Sequence, residues 1–189
     1  MKTALLLIDI QNDYFPGGAN PLTGIERACD NAKSILTLFR EKKLPVIHIQ
    51  HISTRKGATF FLPNTYGVEI NECVKPLSSE EVIQKYFPNS FRNTNLLEKL
   101  RELGVENLNI IGAMTHMCID ATTRAAFDLG FNCSVIEDAC ATKDLEFNGK
   151  IIPAADVHGS FMAALKSVYA SVFNCEEQMK ILENDIQGK

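Results

Sequence analysis

Cys118 is the residue of this chain best placed to act as a nucleophile. It lies within residues 112–126, where a predicted buried strand gives way to a predicted helix. A thiol at the N-terminus of a helix feels the positive end of the helix dipole, which favours the thiolate over the thiol. Because the thiolate is the reactive form of cysteine, the sequence predicts a nucleophile at this position.

Two charged residues interrupt apolar strands and could assist that thiol. Asp9 lies in the apolar run of residues 3–10, where a buried carboxylate is costly unless it is paired or functional. Lys85 lies in the short apolar segment 82–88 and has the charge needed to hold a thiolate and a carboxylate together. Each has a structural alternative, because Asp9 could cap a neighbouring loop and Lys85 could extend to water from an edge strand.

The histidines offer a different base for the thiol. His116 precedes Cys118 by two residues, so a Cys–His pair is an open alternative. His48 and His51 are three residues apart on a predicted strand, which points them to opposite faces and disfavours a shared metal ion. The sequence contains no HExxH, GxSxG, GxGxxG or P-loop string, so those chemistries have no motif support.

Strands and helices alternate along the chain, a pattern typical of a parallel sheet with helices on both faces. Apolar runs predict strands at residues 3–10, 45–50, 81–86, 108–113, 132–137 and 170–173. Helical spacing predicts helices at residues 25–42, 93–103, 118–129, 154–168 and 176–183. Between them, residues 53–80 carry several Gly and Pro residues and are predicted to form a long loop, a feature that is often functional.

The predicted sheet could bring Asp9 and Cys118 together. In parallel sheets, ligands bind beyond the carboxyl ends of the strands, at the point where the strand order reverses. Asp9 lies near the end of the first predicted strand, and Cys118 follows the strand at residues 108–113. If these two strands are neighbours, the carboxylate and the thiol face the same crevice.

Composition and charge narrow the class of protein. The chain has 189 residues, 46% hydrophobic and 22% charged, which predicts one soluble domain over residues 1–189. A net charge of −4 without a basic cluster argues against a nucleic-acid partner. The apolar run at residues 4–8 is too short to span a membrane and lacks the flanks of a signal peptide, so we expect a cytoplasmic protein with no membrane partner. In that compartment we expect the six cysteines to be reduced.

The chain resembles the isochorismatase-like cysteine hydrolases, which include nicotinamidases, N-carbamoylsarcosine amidohydrolases and ureidoacrylate amidohydrolases. Three motifs carry the resemblance in the family's order, namely Leu6-Leu-Ile-Asp9-Ile-Gln-Asn-Asp13, Lys85 with Phe87-Pro-Asn-Ser-Phe91, and Gly112-Ala-Met-Thr-His-Met-Cys118. The resemblance covers nearly the whole chain. It implies an α/β fold, a three-layer α/β/α sandwich with a six-stranded, mainly parallel sheet, and a homodimer or homotetramer.

The same resemblance implies the parts of an active site. It implies a catalytic triad of Asp9, Lys85 and Cys118, and a cis peptide bond between Ala113 and Met114. It also implies an oxyanion hole formed by the backbone N–H groups of Met114 and Cys118. Five residues are candidates to line a pocket for a small-molecule substrate: Phe15, His51, Phe60, Thr115 and His116.

The implied reaction is hydrolysis of a C–N bond in a small amide, ureido compound or lactam. Asp9 would act as the base, Lys85 would stabilise the charges, and a thioester would form on Cys118. Residues 49–56 lack the Asp-Trp-His metal string of nicotinamidases. We therefore predict that the protein uses no metal and no other cofactor, and that its substrate is not nicotinamide. True isochorismatases lack the nucleophilic cysteine, so Cys118 argues against vinyl-ether cleavage. A thiol redox sensor and a non-catalytic binding protein of the same fold are the alternatives.

Overall fold

A six-stranded parallel sheet lies at the centre of the computed structural model, which describes residues 2–184. The strands are β1 (Lys2–Ile8), β2 (Val46–His51), β3 (Glu81–Lys85), β4 (Val105–Ala113), β5 (Asn132–Ala141), the hairpin pair β6 (Leu145–Phe147) and β7 (Lys150–Ile152), and β8 (Ser171–Phe173). The sheet order is β3-β2-β1-β4-β5-β8, and every neighbouring pair is parallel. Its central strand β1 is apolar and almost wholly buried, as expected for a strand covered on both faces.

Helices cover both faces of this sheet. Helices α1 (Ile25–Glu41) and α5 (Cys175–Asn184) contribute to the apolar core on one face. Helices α2 (Leu96–Glu102), α3 (Asp120–Asp128) and α4 (Ala154–Val168) are on the other. The predicted three-layer α/β/α sandwich is therefore confirmed. Within residues 2–184, no helix is long and apolar enough to cross a membrane.

Several element boundaries differ from the prediction. Strand β1 ends at Ile8, so Asp9 lies just beyond the strand and not within it. Strand β5 continues to Ala141 through an irregular register with β4. The hairpin of β6 and β7 was not predicted, although its turn residues Asn148 and Gly149, with φ values of 52° and 72°, form the Asn-Gly signal of a tight hairpin.

One pair of cysteines departs from the expected reduced state. A disulfide joins Cys29 on α1 to Cys73 in a short 3-10 turn of the long loop. The loop folds back onto α1, which brings the two Cα atoms to 6.6 Å, a separation that a disulfide can span. The expectation of six reduced thiols is therefore wrong for this pair, while Cys118 and the three other cysteines are free and buried.

Strands β1 and β4 are neighbours, which meets the condition for a shared crevice. The sheet order reverses here, because β2 flanks β1 on one side and β4 flanks it on the other. Ile8 pairs with Gly112 at the carboxyl end of the two strands. Gly112 has a φ of 126°, and a Cβ atom at this position would overlap the Ile8 carbonyl oxygen. Only glycine allows the backbones to approach this closely beside Asp9.

Replacing Gly112 with alanine should therefore destabilise the fold by about 2–4 kcal/mol, because both the backbone angle and the clash oppose a side chain. Urea unfolding measures this change. Gly130→Ala is the matched control, because Gly130 also has a positive φ of 92° but open space around its Cβ position. We expect that control to cost about 1 kcal/mol. An equal loss of unfolding free energy in the two variants would show that the close approach of Gly112 to β1 does not add to the cost of the substitution.

Strand β3, which carries Lys85, is anchored at its start by the carboxylate of Glu80. Its oxygens accept hydrogen bonds from the Arg40 guanidinium at 2.7 and 2.8 Å and from the Leu77 N–H at 2.9 Å. The buried His48 ring lies 3.0 Å from the same group. Burial alone would raise the pKa of Glu80, but these donors outweigh it and lower the pKa to about 2.

Glu80 should therefore stabilise the fold in a pH-dependent way. Its pKa is lower in the folded protein, so its contribution is present above the unfolded pKa of about 4.3 and is lost as the pH falls toward 2. Unfolding free energies from pH 5 to pH 2.5 should show a smaller decline for Glu80→Gln than for the wild type. Glu72→Gln, at an exposed carboxylate, should decline like the wild type. Parallel curves for wild type and Glu80→Gln would contradict this role.

Candidate active site

Three separate elements deliver Asp9, Lys85 and Cys118 to one point. Asp9 is the first residue after β1, and Lys85 is the last residue of β3. Cys118 lies in a π-helical turn (Thr115–Ile119) that connects β4 to α3. The carboxyl ends of parallel strands share one edge of the sheet, which explains the convergence. Asp9 and Lys85 are fully buried, and Cys118 is 3% exposed.

An ion pair between Asp9 and Lys85 forms the floor of the site. The Lys85 ammonium lies 2.9 Å from the Oδ2 atom of Asp9 and donates a hydrogen bond to the Pro88 carbonyl at 2.9 Å. Asp9 has a φ of 55°, in the left-handed region, and its N–H donates to the Ile49 carbonyl at 3.0 Å. Left-handed backbone at a non-glycine residue is concentrated at functional sites. The strand therefore ends in a way that turns this carboxylate into the crevice.

Both members of the pair are held in their charged forms. Burial alone would raise the pKa of Asp9, but the Lys85 ammonium outweighs it, helped by His51 and Cys118, and the pKa is lowered. Burial alone would lower the pKa of Lys85, but the neighbouring Asp9 carboxylate outweighs it, helped by Cys118, and the pKa is raised. At neutral pH the site therefore holds a carboxylate and an ammonium.

The Cys118 thiol, in contrast, is favoured in its uncharged form. Burial raises its pKa, the Asp9 carboxylate raises it further, and Lys85 only partly opposes them. A helix N-terminus is worth at most about 2 kcal/mol, or about 1.5 pKa units, whereas burial shifts reach about 3–5 units. Burial and Asp9 therefore favour the thiol, whereas the helix dipole considered alone favours the thiolate. The resting site holds a protonated thiol beside an ionised carboxylate.

His51 makes closer contact with the thiol than the sequence indicated. Its Nδ1 atom lies 3.9 Å from the Cys118 sulfur and 3.7 Å from the Oδ2 atom of Asp9. The buried Gln11 amide fixes the His51 backbone, accepting from its N–H at 2.7 Å and donating to its carbonyl at 2.9 Å. His48 instead points to Glu80 at 3.0 Å, so the prediction of opposite faces is confirmed.

His116 is engaged elsewhere. Its Nδ1 atom lies 2.6 Å from the hydroxyl of Thr142, and its ring packs edge-on against Phe161. Burial and the Lys143 charge lower the pKa of His116. The histidine brought within hydrogen-bonding range of Cys118 is therefore His51, and the signal for it in the sequence was its position at the carboxyl end of a strand next to the first one.

The structure also shows the contacts of two further pocket candidates, Thr115 and Phe15. The Thr115 hydroxyl is buried and bonds to the His158 Nδ1 atom at 2.9 Å and to the Ala141 carbonyl at 3.3 Å. Phe15 packs, partly buried, against the apolar core beneath α1 and against the cluster that contains Met114. Thr115 thus ties the turn before Cys118 to α4, and Phe15 supports the loop after β1.

An aromatic wall flanks His51. Phe61 is fully buried, with ring centroids 4.5 Å from Tyr14, 5.0 Å from Phe60 and 5.9 Å from His51. Burial raises the pKa of Tyr14 well above its usual range, and the nearby Cys118, Asp9 and Asp13 raise it further. Of these residues, His51 and Phe60 were predicted pocket candidates, and Tyr14 was not.

The Asp13 carboxylate holds this wall in place. One oxygen accepts a hydrogen bond from the Phe61 N–H at 2.6 Å, and the other accepts from the Ala19 N–H at 3.1 Å. The first contact joins the loop after β1 to the long loop, which is 48 residues further along the chain. Such a contact depends on how the loop returns to the sheet, which explains why periodicity did not reveal it.

Backbone groups before Cys118 complete the site. The bond between Ala113 and Met114 is cis, and it is the bond at which the resemblance implied one. The Met114 N–H is buried and donates to no residue in the described range 2–184. The Met114 carbonyl accepts from the N–H groups of Met117 and Ile119 at 3.0 and 3.2 Å. The Met114 N–H is thus free to bind a ligand atom beside the thiol.

Comparison with known proteins places this chain in a family. A model of the isochorismatase domain matches residues 3–155, most of the chain. The chain belongs to the isochorismatase family. The uncharacterised isochorismatase family protein YddQ of Bacillus subtilis (strain 168) is 55% identical over 95% of this chain and 100% of its own length.

Two further similar proteins extend the comparison. The crystal structure of a proposed isochorismatase hydrolase from Oleispira antarctica has a TM-score of 0.90 and 50% identity, covering 95% of this chain and 96% of that one. A streptothricin hydrolase of Streptomyces noursei is 33% identical over 87% of this chain and 56% of its own length.

The site of this isochorismatase-family chain also offers atoms that bind metals. In residues 2–184, one group of three potential ligands, Asp9, His51 and Cys118, has its ligand atoms within 4.8 Å of one another. Oxygen, nitrogen and sulfur ligands suit zinc. However, the Lys85 ammonium already neutralises the Asp9 carboxylate at 2.9 Å, and its positive charge opposes a cation. The arrangement therefore suits an ion pair better than a metal ion.

Proposed function

We propose that this protein is a cysteine hydrolase that cleaves a C–N bond of a small amide, ureido compound or lactam. The observation that carries the proposal is the buried Asp9–Lys85 ion pair beside the Cys118 thiol. A buried ion pair is expensive to desolvate and is a weak source of stability. Its position beside a nucleophile at the ligand-binding edge of the sheet gives it a chemical role.

The first half of the reaction forms a thioester. The Cys118 sulfur attacks the carbonyl carbon while Asp9 takes the thiol proton. Because the pKa of the thiol is raised and that of Asp9 is lowered, proton transfer must accompany C–S bond formation and not precede it. Lys85 keeps the carboxylate ionised and oriented until the substrate arrives. No stable thiolate is needed, which distinguishes this site from one that stores a Cys–His ion pair.

Backbone N–H groups stabilise the charge that develops on the carbonyl oxygen. The Met114 N–H is buried and free to donate, and we assign it together with the Cys118 N–H to the oxyanion hole. One such donor typically lowers the barrier by about 3–4 kcal/mol. The protonated Asp9 then gives its proton to the leaving amine, and water releases the acid from the thioester.

The surroundings of the thiol favour a small substrate. Cys118 is 3% exposed, and the aromatic rings of Phe60, Phe61 and Tyr14 lie on the side of His51. A thiol this deeply buried is poorly accessible to a polypeptide, which favours a compact substrate. The streptothricin hydrolase relative supports hydrolysis as the reaction class.

The structure disfavours the redox-sensor alternative. Sensor cysteines are accessible and have a low pKa, because the thiolate is the form that is oxidised. Cys118 is buried, and burial together with Asp9 raises its pKa. A binding protein without catalysis would leave the cost of the buried Asp9–Lys85 pair unexplained.

A panel of small amides, ureido compounds and lactams tests the proposal. Each is incubated with the wild type and with Cys118→Ala, and release of ammonia or amine is measured. We expect release by the wild type on at least one class of compound, undiminished after dialysis against EDTA. Equal release by Cys118→Ala, or loss of release on chelation, would overturn the mechanism.

A further inference from the structure

Of the three polar side chains that meet at the Cys118 thiol, His51 is the one that solvent reaches most easily. Its side chain is 16% exposed, whereas those of Asp9 and Lys85 are fully buried. The water that hydrolyses a thioester must enter from the open side of the site, after the amine has left. His51 therefore stands where that water enters.

The backbone that carries the His51 imidazole is held in a fixed position. Gln11 bonds to both backbone groups of His51, and the Phe61 ring packs beside it at 5.9 Å between centroids. His51 also pairs with Lys85 in the register between β2 and β3. Strand pairing and a buried amide thus direct Nδ1 to a point 3.9 Å from the Cys118 sulfur and 3.7 Å from Asp9.

The other groups are poorly suited to activate water. The Asp9 carboxylate is fully buried and already paired with the Lys85 ammonium at 2.9 Å. Lys85 itself is held as an ammonium with no free electron pair. Histidine is the side chain whose chemistry suits general-base catalysis near neutral pH.

We propose that His51 is a fourth catalytic residue, the general base for hydrolysis of the thioester on Cys118. This inference rests on the proposed function. It assigns the two half-reactions to different bases, Asp9 for formation of the thioester and His51 for its hydrolysis.

The step balances in atoms and charge. The water oxygen bonds to the acyl carbon while the Nδ1 atom of neutral His51 takes one water proton. The tetrahedral intermediate collapses, the C–S bond breaks, and its electron pair goes to the Cys118 sulfur. The imidazolium, 3.9 Å away, returns its proton to that sulfur. The acid leaves, and the site regains the Asp9 carboxylate, neutral His51 and the thiol.

The position of Asp9 also stabilises the His51 imidazolium that forms in this step. The imidazolium lies 3.7 Å from the Asp9 carboxylate, an opposite charge inside a poorly solvated site. Asp9 would therefore act on both halves of the reaction, first as a base and then as the counter-ion of His51.

Burst kinetics with p-nitrophenyl acetate separate the two halves. Nitrophenolate release measures acetylation of the enzyme, and the steady rate that follows measures hydrolysis of the acetyl-enzyme. His51→Asn keeps an amide near the position of Nδ1 but removes the base. We expect this variant to keep the burst and to lose about 10²-fold in the steady rate. Intact-mass spectrometry should show its acetyl adduct accumulating on Cys118.

Control variants distinguish failure of the His51 proposal from failure of the proposed cysteine hydrolase function. Lys180→Met should retain the wild-type steady rate, since that exposed side chain pairs with Glu176 on the surface of α5. If His51→Asn hydrolyses at the wild-type rate, or loses burst and steady rate together, the role in hydrolysis is overturned while the nucleophile stands. If the wild type shows no burst that depends on Cys118, both proposals fail. His51→Gln replaces His51→Asn if the latter does not fold.

Discussion

Replacing Cys118 with alanine should abolish turnover and leave the fold intact. The sulfur is the atom that bonds to the substrate, and loss of a catalytic nucleophile can cost on the order of 10⁶-fold in kcat. The change removes only one atom from the core, so we expect a stability loss of about 1 kcal/mol. Assays of kcat on a substrate from the panel, with urea unfolding of the same protein, measure both effects.

Cys133→Ala is the matched control for that variant. Cys133 is also a buried free thiol, and its sulfur faces the carbonyls of Thr123 and Phe131, away from the ion pair. We expect a similar small stability loss and an unchanged kcat. Residual activity of Cys118→Ala above about 1% of the wild type would exclude covalent catalysis, given the size of the expected loss.

Lys85→Met should affect both activity and stability. Methionine keeps most of the apolar stem but leaves the Asp9 carboxylate buried without its counter-charge. Breaking a buried pair in this way typically costs about 3–5 kcal/mol. Asp9 should then take up a proton at neutral pH and cease to act as a base, which lowers kcat by about 10²- to 10⁴-fold. Unfolding curves and kcat measurements test the two effects separately.

A double variant distinguishes charge from shape. Asp9→Asn with Lys85→Met has no buried charge, so it should recover much of the stability lost in Lys85→Met but none of the activity. Lys99→Met is the control for an exposed pair, because the Lys99 ammonium lies 3.6 Å from Glu81 with both side chains partly exposed, and it should cost about 0–1 kcal/mol. Recovery of activity in the double variant would contradict the role of Asp9 as the base.

The fold could be predicted because its signals are local. A continuous apolar β1 indicates a strand buried on both faces, and the spacing of α1 indicates a helix packed on a sheet. The neighbouring positions of β1 and β4 then bring Asp9 and Cys118 to one edge. The isochorismatase-like resemblance placed Lys85 in the same site before its position was known.

Features that depend on non-local contacts could not be predicted. The long loop returns to α1 through Cys73 and to the site through Phe61, and nothing in its periodicity indicates either contact. The pKa of Cys118 depends on the depth of its burial, which a sequence does not give. The effect of the helix dipole on that pKa is therefore overestimated from the sequence alone. His51 was named as a pocket residue, but its contact with the thiol required knowledge of the strand register, because its partner on β3 is Lys85.

Three expectations stay predictions. They are the cytoplasmic location, the homodimer or homotetramer, and the absence of a cofactor. Exposed apolar side chains on the hairpin, Phe147 and Ile151, offer a place to look for contacts between copies of the chain. Sedimentation of the purified protein would measure the oligomeric state.

The acyl-enzyme is the species that decides the mechanism. Enzyme in excess is mixed with an active compound from the panel, quenched with acid within the first turnover, and mapped by mass spectrometry. We predict the acyl group of the substrate on the peptide that contains Cys118, appearing with the released amine and disappearing as the acid forms. Complete conversion to amine and acid with no adduct on Cys118 at any time would contradict the proposed mechanism.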